Sequence, residues 1–388
     1  MGLFEYLKPK NAVQEVKFMD ESKAVEVEVI DDESYMSFST AFRDFGEENL
    51  QLPRIFDTAV DKSLWVRFGW NNLFPQMVNQ MYYTSPINGA IINFKTNATI
   101  GGGYQITTHS QDQKEKVKAI VFEKRHKIAK LLDPITKDLI MHESAYFLVR
   151  FDGNDLKHIS RIPREKVRNS KDKSLYFISD DWSTHLNLRP IRPFKGLHRE
   201  SEMILCFENE SVGVDSYSIA SYTSCLNWCE LDGKMSLFHK NNIDNSIFPS
   251  FAVLFPKKPS GDREKAELKK VVEGARGAKN AGRILALFAN KPEQMPKIET
   301  IPTNQNDKLF EQTDERIDAQ VCKAHCIDPL LLGIRVSGKL GSGNDIKQSY
   351  IIFEKNTVTP LRNKIEEMFT KILAIGGIRG KFEINEYQ

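Results

Sequence analysis

Residues 333–345, GIRVSGKLGSGND, contain the residue types of a phosphate-binding loop. The first seven follow the pattern G-x-x-x-x-G-K, in which backbone amides and a lysine hold the phosphates of a nucleotide. Such a loop also needs a Ser or Thr after the lysine, a strand before it and a helix directly after it. Leu340 stands where the hydroxyl is needed, and the preceding KAHCIDPLLL lacks the pattern of a buried strand. We therefore expect a flexible surface loop or a loop with a non-enzymatic task. The alternative is a P-loop-like nucleotide-binding enzyme that uses Gly333 to Lys339.

Two cysteine pairs could place thiolates and an imidazole around one zinc ion. Cys225 and Cys229 are four residues apart, as are Cys322 and Cys326, with His325 beside the last. Residues at this spacing share a helix face. Structural zinc sites favour short knuckles in loops, whereas a buried free cysteine packs between helices as a small apolar side chain. We therefore expect helix packing, no metal and no cofactor. The odd total of five cysteines predicts free thiols.

A row of acidic residues follows one face of a predicted helix over residues 304–325. Its members are spaced at i, i+4, i+7, i+8 and i+11, and they are Asp307, Glu311, Asp314, Glu315 and Asp318. The usual explanation of such a row is a solvated helix face. If several copies stood in a ring with this face inward, the row would instead line a channel whose negative wall repels a polyanion.

The composition predicts a chain with a substantial core and no global affinity for nucleic acid. The 388 residues are 40% hydrophobic and carry 54 basic against 52 acidic side chains, so any DNA contact is expected to be local. No run approaches the ~18 apolar residues of a membrane span, and MGLFEYLKPK lacks the apolar centre of a signal peptide. We expect the protein to stay inside the cell that makes it. Motifs such as G-x-S-x-G and H-E-x-x-H are absent, so we predict no enzymatic activity.

The patterning predicts an α+β fold with long helices. Two short helices, the second starting at Ser85-Pro86, lead into a strand, and residues 133–207 contain strand-like runs typical of an antiparallel body. Helical spacing predicts long helices over residues 216–240, 304–325 and 344–373. Pro360 should kink or split the last, because proline removes a backbone donor. Residues 241–302 predict a small β-α-β-β module, and residues 17–34 either an edge strand or a partly ordered arm.

The order helix, inserted β-α-β-β module, helix, glycine-rich loop and proline-broken helix resembles that of the portal proteins of tailed double-stranded DNA bacteriophages, of the siphophage type. The resemblance covers roughly residues 64–375 and is spread over many positions. The segments that carry it are GWNNLFPQMVNQMYYTSPINGAIINFKTNATIGGGYQI, FHKNNIDNSIFPSFAVLF, GRILALFANKPEQMPKIETIP, DERIDAQVCKAHCIDPLLLGI and GNDIKQSYIIFEKNTVTPLRNKIEEMF.

The resemblance implies a portal fold with little or no crown. In its first part the resemblance implies a partly ordered N-terminal arm at 1–40, an α+β wing at 41–211 and a first stem helix at 212–240. A clip at 241–302 and a second stem helix at 303–326 follow. The last implied parts are a turn and tunnel loop at 327–345, a kinked long helix of the wing at 346–375 and a short C-terminal tail at 376–388.

The resemblance also implies a function. Portals form rings, usually dodecamers, at one capsid vertex of the virion, where they conduct DNA during packaging and ejection. The implied partners are double-stranded DNA, the major capsid or scaffolding protein, the terminase large subunit and a head-tail adaptor, with no membrane and with synthesis in the bacterial host cytoplasm. The acidic row is then expected to line the stem channel. The expected DNA-facing loop residues are Arg335, Ser337, Lys339, Ser342 and Asn344, and the expected loop hinges are Gly333, Gly338, Gly341 and Gly343.

Overall fold

The computed structural model describes residues 64–69, 71–108, 113–184, 187–196, 199–245, 252–254, 297–299, 306–334 and 343–386. For 241–245, 252–254, 297–299 and 306–310 it describes the backbone alone. All these residues fall within one of the two units into which the chain divides, residues 48–388. The predicted arm at 1–40 lies outside the described residues. Within the described ranges no helix is long and apolar enough to span a membrane.

Helices α1 (Phe74–Thr84) and α2 (Pro86–Ile100) begin where the sequence predicts. Ser85 separates them with an extended backbone, and its hydroxyl accepts a hydrogen bond of 3.3 Å from the amide of Asn88. Pro86 takes the first helical position, where its missing N–H costs nothing. At Gly101 the backbone has φ +59, and a Cβ there would lie 2.3 Å from the carbonyl oxygen of Asn385. Glycine is therefore required where α2 turns into β1 (Tyr104–Thr108).

Two helices follow that the sequence analysis missed, α3 (Gln113–His126) and α4 (Ile128–His142). The buried side chains of α4 include Ile128, Leu132, Ile135 and Leu139, which keep helical spacing. Pro134 inside the helix conceals that period, because proline normally ends a helical pattern. The antiparallel body therefore begins at residue 144 and not near residue 133.

The antiparallel body consists of two three-stranded sheets. Strands β2 (Ser144–Asp152), β3 (Asp155–Ile162) and β7 (Glu202–Glu208) form the first in the order β3-β2-β7. Strands β4 (Val167–Asn169), β5 (Tyr176–Ile178) and β6 (Arg189–Ile191) form the second in sequence order. The predicted antiparallel arrangement is thus confirmed.

Strand β2 is buried on both faces and divides two hydrophobic clusters. Phe147, opposite Leu205 of β7, points into the larger cluster with α4 and the C-terminal helix. Tyr146 points to the other face, into a cluster with Val167 and Tyr176. Because side chains alternate along a strand, one continuous apolar run supplies both clusters.

The last residues of the chain also enter the larger cluster. Strand β10 (Gly380–Ile384) pairs antiparallel with β1, with Phe382 opposite Ile106. The ring of Phe382 stacks on Phe369 at 4.8 Å and on Tyr104 at 4.7 Å. Residues 376–388, predicted as a short tail, therefore contain a core strand.

The first long helix, α5 (Leu226–Asn245), begins later than either predicted start, 212 or 216. A short 3₁₀ turn, Ser221–Cys225, precedes it. In the segment before that turn, side-chain hydroxyls donate hydrogen bonds to distant backbone carbonyls. The hydroxyl of Tyr217 donates to the Val66 carbonyl, and that of Ser218 donates to the Asn209 carbonyl at 2.6 Å. Such side-chain bonds hold this segment in an irregular path and exclude a helix there.

Only two strands of the predicted module at 241–302 are described. Strands β8 (Ala252–Leu254) and β9 (Lys297–Glu299) pair antiparallel, and the rest of the module lies outside the described residues. The second long helix, α6 (Asn306–Ala324), lies within its predicted bounds.

The last long helix is interrupted before Pro360. It consists of α7 (Gly343–Phe353), a π-helical turn (Glu354–Val358) and α8 (Thr359–Ile375). In the turn the amide of Thr359 donates to the carbonyl of Glu354, five residues back. Pro360 has no N–H to give and stands in the first turn of α8, where none is needed. The interruption thus starts at Glu354, six positions before the proline itself.

Arg362 ties α8 to the end of α2. It is buried, and its guanidinium donates to the carbonyls of Thr99 at 3.4 Å and Ala98 at 3.2 Å, while Nη1 lies 3.0 Å from Glu354 Oε1. We expect Arg362→Met to lower the free energy of unfolding by about 2–4 kcal/mol, because two carbonyls and a carboxylate lose their partner.

Urea unfolding of the purified chain measures this change. The matched control is Lys371→Met, which removes an exposed cation of the same helix from its pair with Glu367 and should change stability by less than about 0.5 kcal/mol. Equal effects of the two variants would contradict a structural role for Arg362.

Candidate functional site

Helices α5 and α6 pack against each other and against α2. This helix pair carries the predicted acidic row and lies beside or includes the cysteines considered as metal ligands. The buried side chains at its contact, including the 3₁₀ turn before α5, are Cys225, Leu226, Cys229, Ile317, Val321 and Cys322. All five cysteines of the chain are free. Three of them thus act as small apolar side chains between helices, as predicted.

His325, just after α6, is engaged by its own chain. Its ring stacks on Tyr222 at 4.3 Å, Nε2 lies 2.9 Å from Asn88 Oδ1, and Nδ1 lies 3.3 Å from Lys95 Nζ. The ammonium can only donate, so Nδ1 accepts and Nε2 donates to the amide oxygen of Asn88. Burial and the charge of Lys95 hold the pKa of His325 well below its ordinary value. Among the described residues, no group of three or more His, Cys, Asp or Glu side chains is arranged to hold a metal ion.

Lys95 brings a positive charge into this contact. Burial lowers the pKa of Lys95 to about 8, although the Coulombic influence of Cys326, Glu143 and Cys225 acts in the opposite direction. A buried ammonium with an imidazole as its partner joins the middle of α2 to the end of α6.

Asp232 of α5 joins the helix pair to the start of α2. Its Oδ2 accepts from the Ser85 hydroxyl at 2.6 Å and from the Ile87 amide at 3.4 Å. A carboxylate at this position satisfies an orphan amide and interacts favourably with the positive end of the helix. The next residue, Gly233, lets the backbones approach, since a Cβ there would lie 3.2 Å from the Thr84 carbonyl oxygen.

The predicted acidic row lies partly at the surface and partly against α5. Glu311, Asp314 and Glu315 are exposed and Asp318 is half-buried. The side chain of Asp307 lies outside the described residues. Burial, then the charges of Asp232 and Asp314, raise the pKa of Asp318. The negative surface therefore extends from α6 onto α5.

Sequence reasoning could not find this extension of the acidic row. Burial also raises the pKa of Asp232, and Asp314 adds to that shift. Asp232 has no acidic residue three or four positions away on its own helix, so the sequence of α5 shows no acidic row. Only the packing of α5 on α6 brings it to the row.

The segment that leads into the glycine-rich loop differs from the approach to a nucleotide-binding loop. Gly333 ends a 3₁₀ turn, Pro329–Leu332, with φ +76, and Asp328 caps that turn by accepting from the Leu330 amide at 3.1 Å. A strand should precede a phosphate-binding loop, and here a helix and a turn do. The described residues before Gly333 therefore lack the strand that the nucleotide-binding alternative requires.

The end of the predicted loop also needs correction. Helix α7 starts at Gly343, so Asn344 and Asp345 belong to its first turn, where Asp is favoured by the helix dipole. Gly343 lacks the left-handed φ of Gly333, so the backbone conformation at position 343 does not require a glycine. Six predicted loop residues lie outside the described residues, namely Arg335, Ser337, Gly338, Lys339, Gly341 and Ser342.

Comparison with solved structures defines the class of fold. A chain in the neck of an empty gene transfer agent (GTA) particle, computed with C6 symmetry, is 14% identical with a TM-score of 0.56, and the match covers 80% of this chain and 84% of that one. A chain in the virion of a native GTA particle is also 14% identical with a TM-score of 0.56, covering 86% and 89%. A chain in the neck of a native GTA particle computed with C12 symmetry matches with a TM-score of 0.53. The fold is that of particle-neck proteins.

The family is shown by the sequence itself. The model of the family described as "Phage portal protein" matches residues 124–388, more than half of the chain. The chain belongs to the phage portal protein family, which confirms the resemblance found in its sequence. A search of curated proteins gives no match.

The buried position of Lys95 predicts a pH dependence of stability. The folded chain releases the Lys95 proton at about pH 8 and the unfolded chain near 10.5. The unfolded chain thus binds more protons between these values, so this residue makes the free energy of unfolding rise with pH there, by an amount of order 1–3 kcal/mol. Urea unfolding at pH 7.5 and 9.5 should show a smaller rise in Lys95→Met. The exposed Lys371→Met should keep the full rise, and an unchanged rise in both would refute the assignment.

The raised pKa of Asp318 means that its charge disfavours the folded state at neutral pH. Its folded pKa exceeds the unfolded one, so the penalty is absent at low pH and appears as pH rises. We expect Asp318→Asn to raise Tm by about 1–2 °C at pH 7.5, a small effect because solvent screens a half-buried group. Glu311→Gln, which removes an exposed charge of the same row, is the control. A thermal melt showing equal shifts for the two variants would exclude a special role for burial and for the charge of Asp232 at position 318.

Proposed function

We propose that this chain forms a closed ring at one capsid vertex and that duplex DNA passes through the ring during packaging and ejection. Membership of the phage portal protein family over residues 124–388 is the observation that carries the proposal. In this role the chain is a non-enzymatic component of the virion, synthesised in the host cytoplasm. Its partners are further copies of itself, in a dodecamer as is usual in the family, together with DNA, capsid or scaffolding protein, the terminase large subunit and a head-tail adaptor.

The acidic row supports the proposal electrostatically. DNA carries one negative charge per ~1.7 Å of axis, and each phosphate that a protein neutralises adds affinity and therefore resistance to movement. Glu311, Asp314 and Glu315 are exposed on one face of α6, and the charge of Asp232, which acts on Asp318, adds a carboxylate of α5 to the row. With this face toward the channel, every copy adds carboxylates to a wall that guides DNA without binding it.

The glycine-rich loop between α6 and α7 has the complementary task. Arg335 and Lys339 are its cations, and Ser337, Ser342 and Asn344 are its neutral donors. We propose that these residues touch phosphates transiently while the DNA moves. The glycines at 338 and 341 lower the cost of unusual backbone angles, and Gly333 supplies the left-handed residue where the loop leaves the 3₁₀ turn.

Negative-stain microscopy of the purified protein tests ring formation. We expect closed rings with a central opening, either spontaneously or after addition of the capsid protein. A sample that holds only monomers or dimers under all these conditions would overturn the proposal.

The acidic wall predicts a separation of assembly from DNA movement. The double variant Glu311→Lys/Glu315→Lys should form normal rings but reduce the DNA packaged per particle by roughly tenfold, because each copy adds cations that bind phosphates. Nuclease-protected DNA per particle is the measurement. Lys323→Glu, an exposed charge reversal in the last turn of α6, is the control. Failure of the double variant to form rings would show that the row has a structural role instead.

A further inference from the structure

Among the described residues, helix α7 contacts its own chain through one side. Ser349 donates from Oγ to Asp328 Oδ2 at 2.7 Å, and the Phe353 ring lies 5.4 Å from that of Phe94. Apart from Ser349 and Phe353, all residues of the helix are exposed. The helix is thus held along one side only.

The exposed part of α7 is unusually apolar. Its large exposed side chains are Ile346 at 43%, Tyr350 at 37%, Ile351 at 55% and Ile352 at 60%. A helix at the surface normally has one apolar stripe directed to the core, and a helix that is apolar on several sides is a buried one. Contiguous exposed apolar surface of this kind marks an interaction site.

The apolar residues occupy both flanks of the helix. Successive residues turn by about 100° around a helix axis. With Ser349 and Phe353 on the inner side, Tyr350 lies on one flank, Ile352 on the opposite flank and Ile351 on the outer side. A single partner on one flank would leave the other in water.

We propose that α7 packs between the α7 helices of two neighbouring copies of this chain, with Ile346 and Tyr350 of one copy against Ile352 of the next. This inference rests on the proposed ring. A closed ring of more than two copies needs two different, complementary surfaces on each copy, and the two flanks of α7 provide them. Lys347 lies toward the Tyr350 flank and Asp345 toward the Ile352 flank, so opposite charges face each other across the contact.

The dimensions of such a ring suit its proposed cargo. Packed helices lie 8–10 Å apart, so twelve in a circle span a diameter of about 30–38 Å through their axes. Twelve is the symmetry of one matched neck particle. Since a helix is 10–12 Å thick with side chains, the opening is about 20–27 Å, the size class of a DNA duplex. Ile351, on the outer side, then faces the opening and offers phosphates no charge to bind.

Disulfide trapping tests the contact directly. The double variant Tyr350→Cys/Ile352→Cys, in a Cys326→Ser background that removes the exposed native thiol, should give a ladder of covalent multimers up to ring size after mild oxidation. Each single variant should give no ladder, because Tyr350 meets Ile352 of the neighbour and not itself. Rings mixed from the two single variants should give dimers at most.

A matched control comes from α3. Val117 and Val121 are apolar residues of similar exposure, 55% and 47%, one turn apart on a helix outside the proposed contact. The variant Val117→Cys/Val121→Cys should give no ladder. Rings in the microscope without a ladder from the α7 variant would overturn this inference and leave the proposed function standing, whereas absence of wild-type rings would overturn both.

A second pair of variants tests the same contact even if the cysteine variants fail to assemble. Ile352→Glu should lower the fraction of chains in rings at least tenfold, while the monomer keeps its thermal stability, because the side chain is 60% exposed in its own chain. Val121→Glu should leave the ring fraction unchanged. Normal ring formation by Ile352→Glu would contradict the proposal independently of the trapping result.

Discussion

The described part of this chain depends on one helix, α2, whose end groups and buried lysine are bonded by polar side chains from other segments. Asp232 of α5 accepts at its start, Arg362 of α8 donates to carbonyls at its end, and Lys95 in its middle meets His325 beyond α6. Helix ends need such partners, since their backbone groups have none within the helix. Three long helices are therefore positioned by contacts to one short helix, and movement of any of them would expose a buried charge or an unpaired carbonyl.

The sequence predicted those parts of the fold whose patterns are local. Ser85-Pro86 marks the start of α2, and the continuous apolar run around Phe147 marks β2, because helix caps and short apolar runs are patterns of a few residues. The missed parts depend on distant contacts. Pro134 conceals the period of α4, and Tyr217 keeps its segment irregular through a bond to Val66, far away in the chain. Phe382 belongs to the core only because β10 pairs with β1.

In the candidate site too, local patterns could be predicted from the sequence and distant contacts could not. The row from Glu311 to Asp318 follows from spacing on one helix, whereas the contribution of Asp232 depends on how α5 packs on α6. His325 looked like a possible ligand beside its cysteines, but the site is satisfied internally by Asn88 and Lys95. Spacing on one helix thus indicates the acidic row, whereas its extension to Asp232 and the partners of His325 follow only from the packing of distant segments.

The π-turn decides which way α7 presents its side chains. Tracing an uninterrupted α-helix back from the buried Ile365 and Val358 would bring Glu354, Ile351 and Lys347 to the inner side, at 3.6 residues per turn. The wider turn holds one extra residue and moves that stripe to Phe353 and Ser349. The one extra residue thus rotates α7 so that Lys347 and Ile351 point outward and the ring of Phe353 packs against the body of the subunit. Deleting one residue from Glu354–Val358 would reverse that orientation without altering any side chain of α7.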